Sequence, residues 1–155
     1  MTDPNEGLIS FISAFNAGEI IPAKCTLHDD LYVLQDDANG TPRLTYALIE
    51  AGAVKGIAVY VLAEPVEGIP CFALGYAVSE KFRNQGIGSI MVKKSLEEIH
   101  KGFKKHIPTF YVEAVISRSN VASNQIAIRT LSSERVECDD CVSGEPAFQY
   151  LKKLE

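Results

Sequence analysis

An arginine and two glycines form the pattern in this chain with the clearest chemical use. They lie in the stretch Arg83-Asn84-Gln85-Gly86-Ile87-Gly88-Ser89. Glycines have no side chain to hold a phosphate away from the backbone N–H groups, and an arginine adds a permanent positive charge. These residue types, so closely spaced, predict a site that holds a pyrophosphate group.

The segments on either side place this pattern between a strand and a helix. The apolar run from Cys71 to Val78 has turn residues at both ends, which predicts a buried strand. After the glycines, apolar residues recur at helical spacing: Ile87, Met91, Val92, Leu96 and Ile99. The first turn of a helix has unpaired backbone N–H groups and a partial positive charge. Such a junction binds anions readily, although a plain glycine turn is the alternative.

Two well-known phosphate loops do not match. A Walker loop needs Gly-Lys followed by Ser or Thr after four intervening residues, and this is absent. A dinucleotide fingerprint needs a third glycine, but Met91 stands at that position. The acidic residue expected further on is also missing, because Lys104-Lys105-His106 occupies that region. A dinucleotide-binding protein is therefore only a distant alternative.

The remaining pattern, Arg-x-x-Gly-x-Gly after an apolar strand ending at Val78, resembles the acetyl-CoA signature of the GCN5-related N-acetyltransferases (GNAT family). The resemblance implies acetyl-CoA as cosubstrate, with its diphosphate on Arg83, Asn84, Gln85, Gly86, Ile87, Gly88 and Ser89. It also implies that the strand end Tyr76-Ala77-Val78 pairs with pantetheine and offers a backbone N–H to the acetyl oxygen.

A second segment carries the same resemblance. Asn120 and Ser123, followed by Ile126-Ala127, are similar to the start of a family helix in which the asparagine amide binds the pantetheine arm. This similarity is closest to the branch that acetylates protein amino termini or small amines. Many relatives carry a tyrosine seven residues after that asparagine as the acid for the leaving thiolate, but here the position is Ala127. Asn120 can equally be a helix cap, and the two roles are compatible.

The implied reaction is acyl transfer from a thioester to an amine, which needs a base for the amine proton. Some relatives have an acidic residue five positions before the asparagine that corresponds to Asn120. In this chain that position is Val115. Glu113 lies two residues earlier, on the same face of the strand. Glu113 is therefore the candidate base, and a cross-strand glutamate is the alternative. Tyr150 on the last strand is the candidate acid, with a buried core tyrosine as the alternative.

Composition and charge narrow the classes of protein. The chain has 155 residues, 46% of them apolar, which suits one globular domain over residues 1–155. A net charge of −5 argues against a nucleic-acid binder. The amino terminus does not resemble a signal peptide, and no apolar run is long enough to span a membrane. A cytoplasmic protein without a membrane partner is therefore expected.

Charge is distributed unevenly along the chain. The first 50 residues are acidic, with only Lys24 and Arg43 as bases, whereas residues 81–108 are basic, with only Glu97 and Glu98 as acids. The basic segment is the one predicted to hold phosphates, and the acidic part can attract a cationic amine. A merely solvated charged surface explains the same pattern.

Cys138 and Cys141 have the two-residue gap of a metal knuckle, but no second pair or nearby histidine completes a zinc site. Free thiols in a cytosolic protein are the preferred interpretation, and no metal is predicted.

The order of elements predicts the fold. Asn5 is a candidate cap for a helix from about Gly7 to Ala17, and Asn39-Gly40 predicts a hairpin turn. Antiparallel strands, the central helix, a parallel strand, the helix after Asn120 and a final hairpin follow. This is an α+β fold with a mixed, mostly antiparallel sheet, flanking helices and a central β-α-β crossover, as in the GNAT fold. That fold usually opens with a strand and two helices, whereas one clear helix is found here.

Two classes of function remain open. One is an N-acetyltransferase acting on a small amine or a protein amine of unknown identity. The other is a non-catalytic module that binds an acyl-CoA and has lost the chemistry, which the alanine at position 127 favours. A homodimer formed through the last strands is common in such folds.

Overall fold

A computed structural model describes residues 3–155. The α-helices are α1 (Pro4–Asn16), α2 (Ile87–Phe103) and α3 (Val121–Thr130). The strands are β1 (Ala23–Lys24), β2 (Leu31–Ala38), β3 (Thr41–Glu50), β4 (Ala53–Val66), β5 (Ile69–Val78), β6 (Phe110–Ser117), β7 (Val136–Asp139) and β8 (Pro146–Leu154).

The eight strands form one sheet in the order β1-β2-β3-β4-β5-β6-β8-β7. In the described part of the chain, β5 and β6 are the only strands that pair in parallel. Helix α2 connects them, so the predicted β-α-β crossover and mostly antiparallel sheet are confirmed. The predicted hairpin at Asn39-Gly40 is also present, with φ of 53° and 83°. Both left-handed residues fit the tight turn that the sequence indicates.

The two faces of the sheet bury separate apolar clusters, because side chains alternate along each strand. On β4, Ala58 and Tyr60 belong to the cluster packed by α2 and α3, whereas Ile57 and Val59 belong to the cluster packed by α1. The helices therefore lie on opposite faces of one sheet, and the central strands are buried on both sides.

Several boundaries differ from the prediction. Helix α1 begins at Pro4, and the side chain of Asp3, not that of Asn5, caps it by accepting from the Asn5 N–H at 3.0 Å. Proline at the first helical position costs no hydrogen bond, which explains the earlier start. Val121, the first residue of α3, is 68% exposed, because the first turn of that helix faces outward.

The four cysteines are free thiols in very different surroundings. Cys71 is buried and Cys141 is exposed. Burial, with the nearby Glu98 carboxylate, raises the pKa of Cys25 to about 12. Burial, with Glu113, raises the pKa of Cys71 to about 11. Both thiols therefore stay protonated at neutral pH.

These pKa shifts predict selective alkylation. With iodoacetamide at pH 8, Cys141 is expected to react first, while Cys25 reacts at least about 100-fold more slowly because only thiolates attack. Peptide mass spectrometry over time measures the order. Unfolding lowers the pKa of Cys25 back toward 9.0, so its contribution to stability is lost as pH rises from about 9 to about 12. Equal rates for Cys25 and Cys141 in the folded protein would contradict this assignment.

Candidate functional site

A cleft opens in the sheet where β5 and β6 separate. The two strands pair only at Cys71–Tyr111, Phe72–Val112 and Ala73–Glu113. Beyond Ala73, β5 continues to Val78 and remains paired with β4, but it pairs with no residue of β6. The facing edges of the two strands therefore offer backbone donors and acceptors that no neighbouring strand occupies, which is the arrangement that an extended ligand can use.

The glycine bend lies at the end of this cleft. Asn84 and Gly86 have φ of 61° and 74°, so the chain turns through two left-handed residues before α2 begins at Ile87. Within residues 3–155, no side chain caps this helix end. The N–H groups of the first turn, at Ile87, Gly88 and Ser89, are therefore left for a ligand, and the helix dipole favours an anion there.

The two glycines are required for different reasons. Gly86 is exposed, and a Cβ there would meet nothing within 4 Å, so its positive φ explains the glycine. A Cβ at Gly88 would lie 2.5 Å from Cδ1 of Ile126 and 3.4 Å from Val78. Gly88 therefore lets α2 pack closely against α3, a role that the sequence pattern did not predict.

Arg83 connects the bend to the end of β5. Its Nε donates to the Val78 carbonyl oxygen at 3.1 Å, and one terminal nitrogen lies 3.5 Å from Oδ1 of Asn5 in α1. The arginine is exposed, so the rest of its guanidinium can still donate to a phosphate. Its charge stays close to the first turn of α2.

The first turn of α3 forms the opposite wall. Oδ1 of Asn120 accepts from the Ser123 N–H at 3.2 Å, so the asparagine is a helix cap and its amide nitrogen is left for a ligand. The Tyr76 hydroxyl donates to the Ser123 carbonyl oxygen at 2.6 Å and ties this helix to β5. Burial raises the pKa of Tyr76 well above its usual range, so it stays neutral.

These elements enclose a cavity of about 660 Å³. Every residue predicted to bind the cosubstrate lines it, with the exception of Gln85: Tyr76, Ala77, Val78, Arg83, Asn84, Gly86, Ile87, Gly88, Ser89, Asn120 and Ser123. The volume falls in the range of small-molecule and cofactor sites. Residues far apart in the sequence thus meet around one concave surface with two helix amino termini.

The two predicted catalytic residues do not line this cavity. Glu113 lies at the last paired position of β5 and β6, just below the point where the cleft opens, and its Oε2 accepts from Nε2 of Gln149 at 2.6 Å. Tyr150 is fully buried, and its hydroxyl donates to Asn124 and accepts from Arg135. The structure therefore supports the core alternative for Tyr150, because its hydroxyl is buried and already has two hydrogen-bond partners.

Several lining residues were not predicted. The carboxylates of Asp3 and Asp140 lie at the cavity, together with Ser117, Gln125 and Arg129. Asp140 comes from the β7–β8 loop, where its Oδ1 accepts from the N–H groups of Val142 and Ser143. Such residues form no local motif, because the cavity collects them from the start of α1, the end of β6, the helix α3 and the β7–β8 loop.

Two further observations concern residues 3–155 only. No helix in this range is both long and apolar enough to cross a membrane. No group of three or more metal-ligating side chains of His, Cys, Asp or Glu converges within it.

Comparison with known proteins shows to which family the sequence is similar and which solved structures share its fold. The sequence model of the acetyltransferase (GNAT) family matches residues 11–126. A search of curated protein sequences found no match.

Three solved structures illustrate the structural similarity. A ribosomal L7/L12 alpha-N-protein acetyltransferase in complex with coenzyme A has a TM-score of 0.52 at 20% identity, over 71% of this chain and 61% of that one. The ribosomal-protein-S5-alanine acetyltransferase of Vibrio fischeri has a TM-score of 0.56 at 14% identity, over 76% and 63%. An acetyltransferase of the GNAT family from Streptococcus pneumoniae has a TM-score of 0.55 at 12% identity, over 99% and 96%.

The chain thus spans 61% and 63% of the length of the two ribosomal-protein acetyltransferases, but nearly the whole of the pneumococcal protein. At these identities the similarity establishes a shared fold.

Proposed function

Because this chain belongs to the acetyltransferase (GNAT) family, we propose that it is an N-acetyltransferase that moves the acetyl group of acetyl-CoA to a primary amine. The observation that carries the proposal is the cleft between β5 and β6, which opens onto the amino ends of α2 and α3. A long thioester with an anionic head needs such a slot, with an anion site at one end.

Each part of acetyl-CoA has a counterpart in this cavity. The diphosphate suits the free N–H groups of Ile87, Gly88 and Ser89, with Arg83 beside them. The amide groups of pantetheine suit the unpaired edge of β5 and the amide nitrogen of Asn120. The thioester would then lie near the point where β5 and β6 separate.

The reaction is a direct attack. The neutral amine nitrogen forms a bond to the acetyl carbonyl carbon, and a backbone N–H of Tyr76-Ala77-Val78 stabilises the negative charge that develops on the oxygen. The C–S bond then breaks, the thiolate leaves, and the proton of the amine passes to a base. The thiolate takes its proton from water, because neither Tyr150 nor the alanine at position 127 offers an acid in the cavity.

Glu113 remains the proposed base, acting through a water. It lies two residues before Val115, which lines the cavity. Two residues of a strand span about 7 Å, and this is the distance along β6 from Glu113 to the cleft. We expect Glu113→Gln to lower kcat by about 100-fold, with the KM for acetyl-CoA unchanged. Steady-state kinetics with a saturating amine measures this change.

Glu137→Gln is the matched control for that substitution. Its carboxylate is exposed on the edge strand β7, where it lies 3.9 Å from Arg118. We expect the control to keep kcat within about twofold of the wild type. If Glu113→Gln does the same, Glu113 is not the base, and Asp3 and Asp140 at the cavity become the carboxylates to replace.

The test of the function is thiol release from acetyl-CoA with a panel of acceptors. The panel contains small primary amines and short peptides with free amino termini, because both acceptor types fit the family resemblance. Release of coenzyme A that depends on an amine supports the proposal. Binding of coenzyme A without amine-dependent release would favour a non-catalytic acyl-CoA-binding module, which the missing acid at position 127 also suits.

A further inference from the structure

Helix α3 presents one stripe of side chains to the cleft. Ala122, Gln125, Ile126 and Arg129 all line the cavity, and these positions have the i, i+3, i+4, i+7 spacing of a single helix face. Arg129 is the charged member of this stripe and lies in the last turn of α3. The acetyl transfer proposed above gives it no role.

Arg129 lies towards the anion end of the cavity. A Cβ on Gly88 would be 2.5 Å from Cδ1 of Ile126, so this part of α3 packs against the first turn of α2. Arg129 follows Ile126 by three residues, and side chains at this spacing are neighbours on a helix surface. Asn120, which suits pantetheine, is nine residues earlier, or roughly 14 Å along the helix. The asparagine and the arginine therefore stand at opposite ends of the same wall.

No neighbouring carboxylate in the described part of the chain neutralises Arg129. Its side chain is exposed, and none of the ion pairs found there includes it. Asp140 also lines the cavity, but the β7–β8 loop lies beside the end of β6, where Ser117 pairs with Ala147. Ser117 in turn accepts from the Asn120 N–H at 3.0 Å. Asp140 is therefore at the opposite end of α3 from the arginine.

Coenzyme A carries more negative charge than the glycine bend alone can hold. Its diphosphate carries roughly two charges, and the phosphate monoester at its 3′ position adds about 1.5 to 2 at neutral pH. Of the described residues that line the cavity, Arg83 and Arg129 are the two cations. Arg83 adjoins the bend and suits the diphosphate, together with the N–H groups that begin α2. Arg129 is the cation that remains for the second phosphate group.

We propose that Arg129 recognises the 3′-phosphate of coenzyme A, and that this contact makes the protein select acetyl-CoA over its 3′-dephospho form. A guanidinium suits such a group, because its fork of N–H donors matches two phosphate oxygens. The inference rests on the proposed function, since it requires the cosubstrate to lie in the cleft with its diphosphate at the glycine bend.

Calorimetric titration with coenzyme A and with 3′-dephospho-coenzyme A measures this selection without any turnover. The two ligands differ by one phosphate, so the ratio of their dissociation constants isolates the contribution of that group. We expect the wild type to bind coenzyme A about tenfold more tightly than the dephospho form. Arg129→Gln should weaken the binding of coenzyme A by about tenfold and that of the dephospho form by less than about twofold.

Two further variants separate the contact from the charge of the protein as a whole. Arg129→Lys keeps a positive charge, so we expect it to lose less than about threefold in affinity for coenzyme A. Lys104→Gln is the matched control, because it removes the same charge from an exposed residue at the far end of α2. That end is about 25 Å from the bend, and salt screens charges at such a distance. Lys104→Gln should therefore bind both ligands as the wild type does.

Steady-state kinetics gives a second readout. We expect Arg129→Gln to raise the KM for acetyl-CoA about tenfold and to leave kcat at saturation unchanged. The reason is that the 3′-phosphate is remote from the reacting carbonyl, so its contact is the same in the ground state and in the transition state.

Three results would overturn this inference alone. The first is equal binding of the two ligands by the wild type, and the second is an Arg129→Gln variant that binds coenzyme A within twofold of the wild type. The third is a variant that loses the same factor for both ligands, which would place Arg129 on the diphosphate or the adenine. If the wild type binds no coenzyme A while circular dichroism shows an intact fold, the proposed function falls and this inference falls with it.

Discussion

Replacing Gly86 with valine is expected to lower kcat/KM for acetyl-CoA by about 10- to 100-fold. Gly86 has a φ of 74°, which a β-branched residue adopts only at a cost of about 1–2 kcal/mol or more. The new side chain would also stand beside the N–H groups that begin α2. A valine bend that relaxes away from this φ must be restored for acetyl-CoA to bind, and because about 1.4 kcal/mol corresponds to a tenfold change, that cost accounts for the lower limit.

Gly102→Ala is the matched control for this substitution. Gly102 lies inside α2 without a positive φ, and a Cβ there would meet nothing within 4 Å. Alanine should therefore stabilise the helix by about 0.5–1 kcal/mol and leave kcat/KM unchanged. If Gly86→Val also keeps kcat/KM within twofold of the wild type, while circular dichroism shows an intact fold, the bend does not hold acetyl-CoA.

Glu98→Ala is expected to cause the largest loss of stability, about 2–4 kcal/mol. The carboxylate of Glu98 is 6% exposed and accepts from the Leu27 N–H at 3.0 and 3.2 Å and from the His28 N–H at 2.8 Å. Alanine would leave two partly buried N–H groups of the β1–β2 loop without a partner. For a chain of this size the melting temperature should fall by about 5–12 °C, measured by calorimetry.

The neighbouring Glu97 supplies the control for that prediction. It is exposed on the same helix, and its contact is with Nε2 of His28 at 3.6 Å. Glu97→Ala should change stability by less than about 0.5 kcal/mol. Equal melting temperatures for the two variants would show that the loop does not depend on the buried carboxylate.

Lys94 makes a second link between α2 and the same loop. Its Nζ lies 2.6 Å from Oδ2 of Asp30, and both side chains are about a quarter exposed. A partly exposed pair of this kind contributes less than a buried carboxylate with three hydrogen bonds, because water screens the charges. The loop is therefore held mainly by Glu98.

The sequence by itself determined the elements that surround the cleft. Short-range patterns specify the strand ending at Val78, the bend at Gly86 and the helix after it, since apolar spacing and positive-φ residues act locally. The cap at Asn120 is equally local, because its oxygen bonds a backbone N–H three residues away. These features also carried the resemblance to the acetyltransferase family.

Only the tertiary structure decided which side chains meet. The sequence around Tyr150 has the alternation of polar and apolar residues that is typical of a strand. Its full burial, however, follows from packing against α3, which no local pattern encodes. Gly88 is needed because Ile126 of another helix fills the space beside it. Asp3 and Asp140 reach the cavity from segments that are distant in sequence. Contacts of this kind depend on how whole elements pack, so their chemistry emerges only when the sheet is assembled.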